Sequence, residues 1–198
     1  MMSKLDFKWS PLKMEDGYKL KEWSTYESPL FVGYNYNSLT EREQQFWFLS
    51  KQRRFNSSYF SIYVGEELIG YIGIKEINQL LKTAKLGIVF DSKWTSKGYG
   101  SEILEEFLEY YFNELRMRRL DLEVNSWNER AIKLYEKFAF KIDSTKYIEF
   151  ENQNLDLSKQ EFQKYKDDFI QKDGKIFTRI YVMKLKRQEY FNEISNWK

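Results

Sequence analysis

Residues 86–101 read Leu-Gly-Ile-Val-Phe-Asp-Ser-Lys-Trp-Thr-Ser-Lys-Gly-Tyr-Gly-Ser. The stretch opens on a near-continuous apolar run from Leu86 to Phe90, the pattern of a strand buried on both faces. A glycine-bearing turn, Lys97 to Ser101, then opens a helix. Its apolar residues Ile103, Leu104, Phe107, Leu108, Tyr111 and Leu115 fall on one stripe, with Glu102, Glu105, Glu106, Glu109 and Glu114 elsewhere. A strand that runs through such a turn into a helix aims free backbone N–H groups and the positive end of the helix dipole at an anion. Gly98 and Gly100 allow close backbone approach because they carry no Cβ. Lys97 adds a charge and Ser101 a hydroxyl. Two known phosphate loops fail on spacing: the chain has no G-x-x-x-x-G-K-S/T string, and G-x-G-x-x-G would need a glycine at Ile103. On these residues alone, a plain strand-to-helix turn explains the glycines equally well.

Upstream, a strand is expected over Leu5 to Leu12 and a helix over Met14 to Tyr26, ended by Pro29. An aromatic loop, Ser28 to Asn37, follows. Thr40 with Glu43 forms a capping box for a second helix, whose buried face would be Phe46, Trp47 and Leu49. Tyr59 to Val64 and Leu68 to Ile77 form a hairpin across Gly65-Glu66-Glu67. Downstream come a strand over Leu120 to Asn125 and a helix opened by a Ser126–Glu129 capping box and lined by Ala131, Ile132, Leu134, Tyr135 and Phe138. A strand over Phe140 to Phe150, a polar helix over Leu157 to Ile170, a turn at Asp173-Gly174 and a closing strand over Ile176 to Leu185 complete the pattern, before a polar tail with helical character around Tyr190 and Ile194. Helices and strands mix without strict alternation, which predicts an α+β fold: a mixed, largely antiparallel twisted sheet of about seven strands with helices on both faces. We expect one domain over 1–186, with a helical insertion at about 151–175 and a polar tail over 187–198.

Composition narrows the chemistry. The 198 residues carry 32 Lys plus Arg against 30 Asp plus Glu, a formal charge of +2, which argues against a dedicated nucleic-acid binder. There is no Cys, so thiol nucleophiles, disulfides and thiolate metal sites are excluded. There is no His, which removes the commonest general base and metal ligand. No metal site is expected. No apolar run approaches ~18 residues, and the first residues show no signal-peptide core, so we expect a soluble, cytoplasmic protein that does not enter a membrane. Aromatic residues make up 19% of the chain; most of them are expected to be core.

The segment Asn125-Ser126-Trp127-Asn128-Glu129-Arg130-Ala131-Ile132-Lys133-Leu134-Tyr135-Glu136-Lys137-Phe138-Ala139-Phe140 resembles the Asn-x-x-Ala-x-x-x-Tyr-Glu-Lys-x-Gly-Phe segment of the GNAT superfamily of N-acetyltransferases, in its ribosomal-protein and small-amine branch. Thr95-Ser96-Lys97-Gly98-Tyr99-Gly100 resembles the family's Arg/Gln-x-x-Gly-x-Gly/Ala loop, and Ala84 to Ile88 the start of its fourth strand. The likeness is specific over residues 59–150, looser before, and nearly absent after 155.

The resemblance implies transfer of an acetyl group from acetyl-CoA, as co-substrate, to a primary amine on a small molecule or peptide. It implies that Lys97, Gly98, Tyr99, Gly100 and Ser101 hold the CoA diphosphate. Ile88, Val89 and Phe90 would meet the pantetheine arm, Asn128 would orient it, and Tyr135 would lie near the sulfur as general acid. Read without its motif, Tyr135 is a core tyrosine on an apolar helical stripe. The family glutamate on the fourth strand is replaced by Lys85, so that base does not carry over. Glu76 is the first candidate base, with Glu123 or a water chain as alternatives. Thr95 and Ala139 depart from the family's Arg/Gln and glycine.

The family's acceptor cleft lies between its first two helices and its last strands. Here that nominates Trp23, Phe31, Tyr34 and Tyr36, with Glu27 and Glu151 nearby to favour a cation. Ordinary packing of the loop is the competing reading. The insertion could cover the acceptor or form a dimer surface; a monomer and a homodimer both fit. A non-catalytic CoA-binding module on the same fold is the alternative function, supported by Lys85.

Overall fold

The computed structural model describes residues 5–52 and 56–197; the side chains of 194–197, Ile194 included, lie outside the described residues. The chain divides into two compact units, Met1–Tyr26 with Tyr34–Leu120, and Glu27–Gly33 with Asp121–Lys198.

In the first unit β1 (Lys8–Pro11), β2 (Ser57–Val64), β3 (Glu67–Asn78) and β4 (Thr83–Phe90) are successive antiparallel neighbours. Their register pairs Tyr59 with Gly73, Tyr71 with Val89, Gly73 with Gly87, and Lys75 with Lys85. Residues facing each other across an antiparallel pair share a face, so Tyr59, Tyr71, Lys75, Lys85, Gly87 and Val89 lie on one side of these strands. The opposite side carries Trp9, Phe60 and Ile72. There α3 (Tyr99–Glu109) docks through Phe107, with ring centroids 5.9 Å from Trp9 and 6.4 Å from Phe60. Its stripe of Ile103, Leu104, Phe107, Leu108 and Tyr111 is buried as the periodicity requires. Leu115 is exposed instead, because the helix widens into a π turn over Tyr110–Glu114 that ends the stripe one residue early.

The first face is covered by α1 (Met14–Lys19) and α2 (Glu41–Lys51). Helix α1 is shorter than expected: it tightens into a 3-10 turn at Leu20–Glu22, and the Trp23 indole N–H turns inward to donate to the Leu68 carbonyl at 2.8 Å. The buried Asp16 ties α1 to β2, accepting from Ser61 Oγ at 2.6 Å and from the Tyr63 hydroxyl. Helix α2 begins at Thr40, whose Oγ1 accepts from the Glu43 amide while Glu43 accepts from the Thr40 amide, the expected capping box. Its inward stripe differs from the expected one. Phe46 and Leu49 are 58% and 55% exposed; Gln44, Trp47, Phe48 and Lys51 face the sheet at i, i+3, i+4 and i+7.

The second unit takes up β5 (Arg119–Asn125) from Asp121 on, then α4 (Glu129–Lys137), β6 (Lys141–Glu149), β7 (Phe169–Lys172), β8 (Lys175–Lys186) and α5 (Arg187–Trp197). Strand order is β5-β8-β6, and β7 forms an antiparallel hairpin with β8 across Asp173-Gly174. Residues 157–170 are not the expected α-helix: a 3-10 run at Gln160–Asp168 leads straight into β7. The insertion contributes three residues to a core cluster. Leu155, Phe162 and Phe169 pack with Leu30, Trp127, Phe150 and Ile176, each buried ring or aliphatic group contributing about 1.5–3 kcal/mol. The α+β class and antiparallel bias are as the sequence predicts, with eight strands among the described residues. None of these residues forms a helix long and apolar enough to cross a membrane.

Candidate functional site

Gly98 caps α3 with φ +92° and Ser96 precedes it at φ +60°, both in the left-handed region that favours glycine. This geometry turns the chain so that the first amides of α3 point outward. The Ser101 amide donates back to the Gly98 carbonyl at 2.9 Å. The Tyr99 and Gly100 amides have no acceptor among the described residues, which leaves two donors at the positive end of the helix dipole. Lys97 is exposed beside them, its ammonium 4.9 Å above the Trp94 ring. Trp94 is itself fixed by an indole hydrogen bond to Glu67 at 2.7 Å and by an edge contact with Tyr99. Leu5 lies alongside, its amide donating to Glu102 at 2.8 Å. Two amides without an acceptor among the described residues, an exposed lysine and a small-residue turn suit a diphosphate.

On β4, Ile88, Val89 and Phe90 are half-buried. The Phe90 carbonyl accepts from the Tyr26 hydroxyl at 2.9 Å. Asp91 follows, buried; its Oδ1 accepts the Ser24 and Lys93 amides at 3.0 and 3.2 Å, and its Oδ2 is buried without a partner among the described residues. The sequence reading passed over this carboxylate.

The four aromatic residues nominated for the acceptor are divided between the two units. Trp23 and Tyr36 join a ring cluster with Tyr71 and Trp47 over β3, where the Tyr36 and Tyr71 hydroxyls meet at 3.0 Å. Tyr34 packs on Tyr26. Phe31 belongs to the second unit, against Trp127 and under Arg130. Glu151 sits against Gly33 in that unit.

The ring cluster already holds a cation, the ammonium of Lys51, at 5.3 Å from the Tyr59 and Tyr71 ring centroids and 5.8 Å from that of Trp47. Burial, reinforced by the Lys75 charge, lowers its pKa to about 8. Burial likewise raises the Tyr59 phenol to about 12, with Tyr36 and Glu76 adding to the shift, and drives Tyr71 well above its ordinary value. The sequence assigned no site role to Lys51, Tyr59 or Tyr71. The i+7 spacing from Gln44 to Lys51 was the available signal.

Glu76 sits in a β-bulge with φ +54°, exposed, its carboxylate 3.0 Å from the Lys85 ammonium. Strand alternation would send Glu76 away from Lys75. The bulge instead brings it to Lys85, on the Tyr59–Tyr71 face, where it relieves the opposed Lys75 and Lys85 charges. Glu123, the second candidate, is exposed and paired with Lys146 at 3.0 Å.

In the second unit, Asn128 rather than Ser126 caps α4, its Oδ1 accepting from the Ala131 amide at 3.3 Å. Its Nδ2 donors remain uncommitted among the described residues. Ser126 is buried and used elsewhere, donating to Asp168 at 2.6 Å in a cluster with Arg179. Tyr135 is 7% exposed, packed edge-on against Phe140, and its hydroxyl has no hydrogen-bond partner among the described residues. Burial raises its pKa to about 12, so it is a phenol held protonated.

A family model described as acetyltransferase (GNAT) family matches residues 18–140. The L-amino acid N-acetyltransferase of Escherichia coli K12 is 33% identical over 81 residues, 40% of this chain and 50% of that protein. The spermidine N(1)-acetyltransferase of the same strain is 29% identical over 84 residues, 42% and 45% of the two chains. The chain spans about half the length of these curated relatives. A chimera of the Vibrio cholerae spermidine N-acetyltransferase superposes with a TM-score of 0.66 at 17% identity, covering 94% of this chain and 98% of that one, a likeness of fold. With more than half its length matched by the family model, the chain belongs to the GNAT acetyltransferase family.

Proposed function

We propose that this chain is an acetyl-CoA-dependent N-acetyltransferase that modifies a primary amine by direct attack on the thioester. The observation that carries the reading is the pair of amides, Tyr99 and Gly100, that have no acceptor among the described residues at the mouth of a helix entered from β4. Family membership and relatives named for amino-acid and spermidine acetylation support it. Acetyl-CoA would supply the acetyl group as an activated thioester. Use of that donor fits a cytoplasmic location.

The chain's own residues have limited tasks. The Tyr99 and Gly100 amides, with Lys97 and Ser101, bind the diphosphate. In the first unit the strand edge at Ile88–Phe90 offers an alignment for the pantetheine arm; in the second, Asn128 offers Nδ2 as a donor to such an arm's amide carbonyl. Fixing two reactants in register supplies roughly 7–11 kcal/mol of a barrier, so binding does much of the catalysis. Tyr135 donates a hydrogen bond to the departing sulfur. Held near pKa 12, it stabilises a thiolate (ordinary thiol pKa about 8.5) without surrendering its proton. Glu76 takes the proton lost by the amine, through water, from the exposed end of the Tyr59 face.

Release of CoA should be followed with acetyl-CoA and a panel of primary amines, in wild type and Tyr135→Phe. Amine-dependent release that falls by about 10²–10³-fold in the variant, the loss expected for one donor to a developing charge, supports the reading. Tight acetyl-CoA binding with no turnover on any amine favours a CoA-binding module.

A further inference from the structure

Lys51 ends the inward stripe of α2, and its ammonium stands among Tyr59, Tyr71 and Trp47. Ring faces attract a cation but satisfy none of its three N–H donors conventionally. Lys51 Nζ has no hydrogen-bond acceptor and no carboxylate partner among the described residues. The charged groups around it do not compensate. Lys75 repels it, and Glu76 is engaged by Lys85. Tyr36, Tyr59 and Tyr71 are neutral phenols. A half-buried cation is costly unless something pairs with it. The same face leads to β4: the Tyr59 ring lies over Gly73 and Gly87, its hydroxyl 3.2 Å from where a Cβ of Gly87 would stand.

We propose that Lys51 is the anion-reading residue of the acceptor site, and that the acceptor is a primary amine bearing a carboxylate or phosphate rather than a polyamine. The inference rests on the N-acetyltransferase reading and adds the substrate class. A free ammonium group on the acceptor would find the ring box already occupied and would meet Lys51 and Lys75 as like charges. An acidic group supplies what Lys51 lacks, and pairing there leaves the distal amine to reach β4 past the edge of the Tyr59 ring.

Three probes separate the possibilities: δ-aminovalerate, phosphoethanolamine and the diamine cadaverine. Calorimetric binding in the presence of CoA and rates of acetylation are measured for wild type, Lys51→Met and Lys51→Arg, with thermal melting to confirm folding. The expected result is a wild-type preference for one acidic probe over cadaverine of about tenfold or more, lost in Lys51→Met and kept in Lys51→Arg, corresponding to about 1.4 kcal/mol. Preference for δ-aminovalerate assigns a carboxylate, and preference for phosphoethanolamine a phosphate. Equal or better use of cadaverine by wild type, or a preference unchanged in Lys51→Met, overturns the proposal, as does failure of wild type to bind either acidic probe. Lys51-dependent binding without acetyl transfer to any probe supports the anion site and, when the amine panel above also goes unacetylated, removes the transferase reading.

Discussion

The Tyr59 hydroxyl lies 3.2 Å from the point where a Cβ on Gly87 would stand, so this ring covers the middle of β4. The same ring sits 2.6 Å from the Cβ position of Gly73, whose other neighbours there are the Ser58 carbonyl and Tyr59 Cα. The two glycines make the seat of the ring that carries Lys51. Gly73→Ala places a methyl group against backbone that cannot give way and should cost about 1–3 kcal/mol. Gly87→Ala meets only the end of a side chain and should cost less, while raising KM for the acceptor. Urea unfolding of both variants checks the order; equal stabilities contradict it.

Ala139 closes α4 with φ +64°, where the family has glycine. A Cβ in the left-handed region is strained, roughly 1–2 kcal/mol, and glycine recovers this less its larger unfolded-state entropy. Ala139→Gly should therefore stabilise the fold by about 0.5–1 kcal/mol without changing kcat. A lower melting temperature would count against the assigned backbone.

Tyr135 buries a hydroxyl with no partner among the described residues. Removing an unsatisfied buried hydroxyl is neutral or favourable to stability, on the order of 0–1 kcal/mol. Tyr135→Phe should melt at or above the wild-type temperature while its kcat falls. A large loss of stability would mark Tyr135 as a structural residue.

Stability should peak in alkaline solution. Lys51 titrates at about 8 when folded and 10.5 when not, so between these values the unfolded chain binds more protons and stability rises with pH. The gain is on the order of 1–3 kcal/mol. Tyr59 and Tyr135 titrate near 12 when folded, against an ordinary 10.0, so above pH 10 the folded state binds more protons and stability falls. Denaturant melts across this range test the shape. Lys51→Met should remove the rising limb and leave the falling one; identical profiles contradict the assignment.

Much of this was legible from local pattern. The Leu86–Phe90 strand, the Gly98 turn and the Ile103–Tyr111 stripe are long-period signals that tertiary packing did not override. The Thr40 box was equally local. The misses have physical causes. On α2, Phe46 and Leu49 outrank Gln44 and Lys51 in hydropathy, but the ring cluster on β2 and β3 selects the face that carries Trp47. Residues 160–172 show helical spacing at Phe162, Tyr165 and Phe169, yet Phe169 pairs with Thr178 as a strand because the Asp173-Gly174 turn folds β7 back on β8. The aromatic loop looked like one site because its rings are close in sequence. Phe31 packs on Trp127 and Tyr36 on Tyr71, and no periodicity encodes which ring each one meets.

The mouth of α3 decides the account, and Gly100→Asp is the direct probe. An aspartate in the first turn suits the helix dipole, so the fold is kept, while its carboxylate occupies the approach of a diphosphate. Calorimetric titration with acetyl-CoA should show affinity weakened by about 30-fold or more, roughly 2 kcal/mol, with the melting temperature held or raised. Unchanged acetyl-CoA affinity in a folded Gly100→Asp protein would contradict the claim that these amides receive the coenzyme.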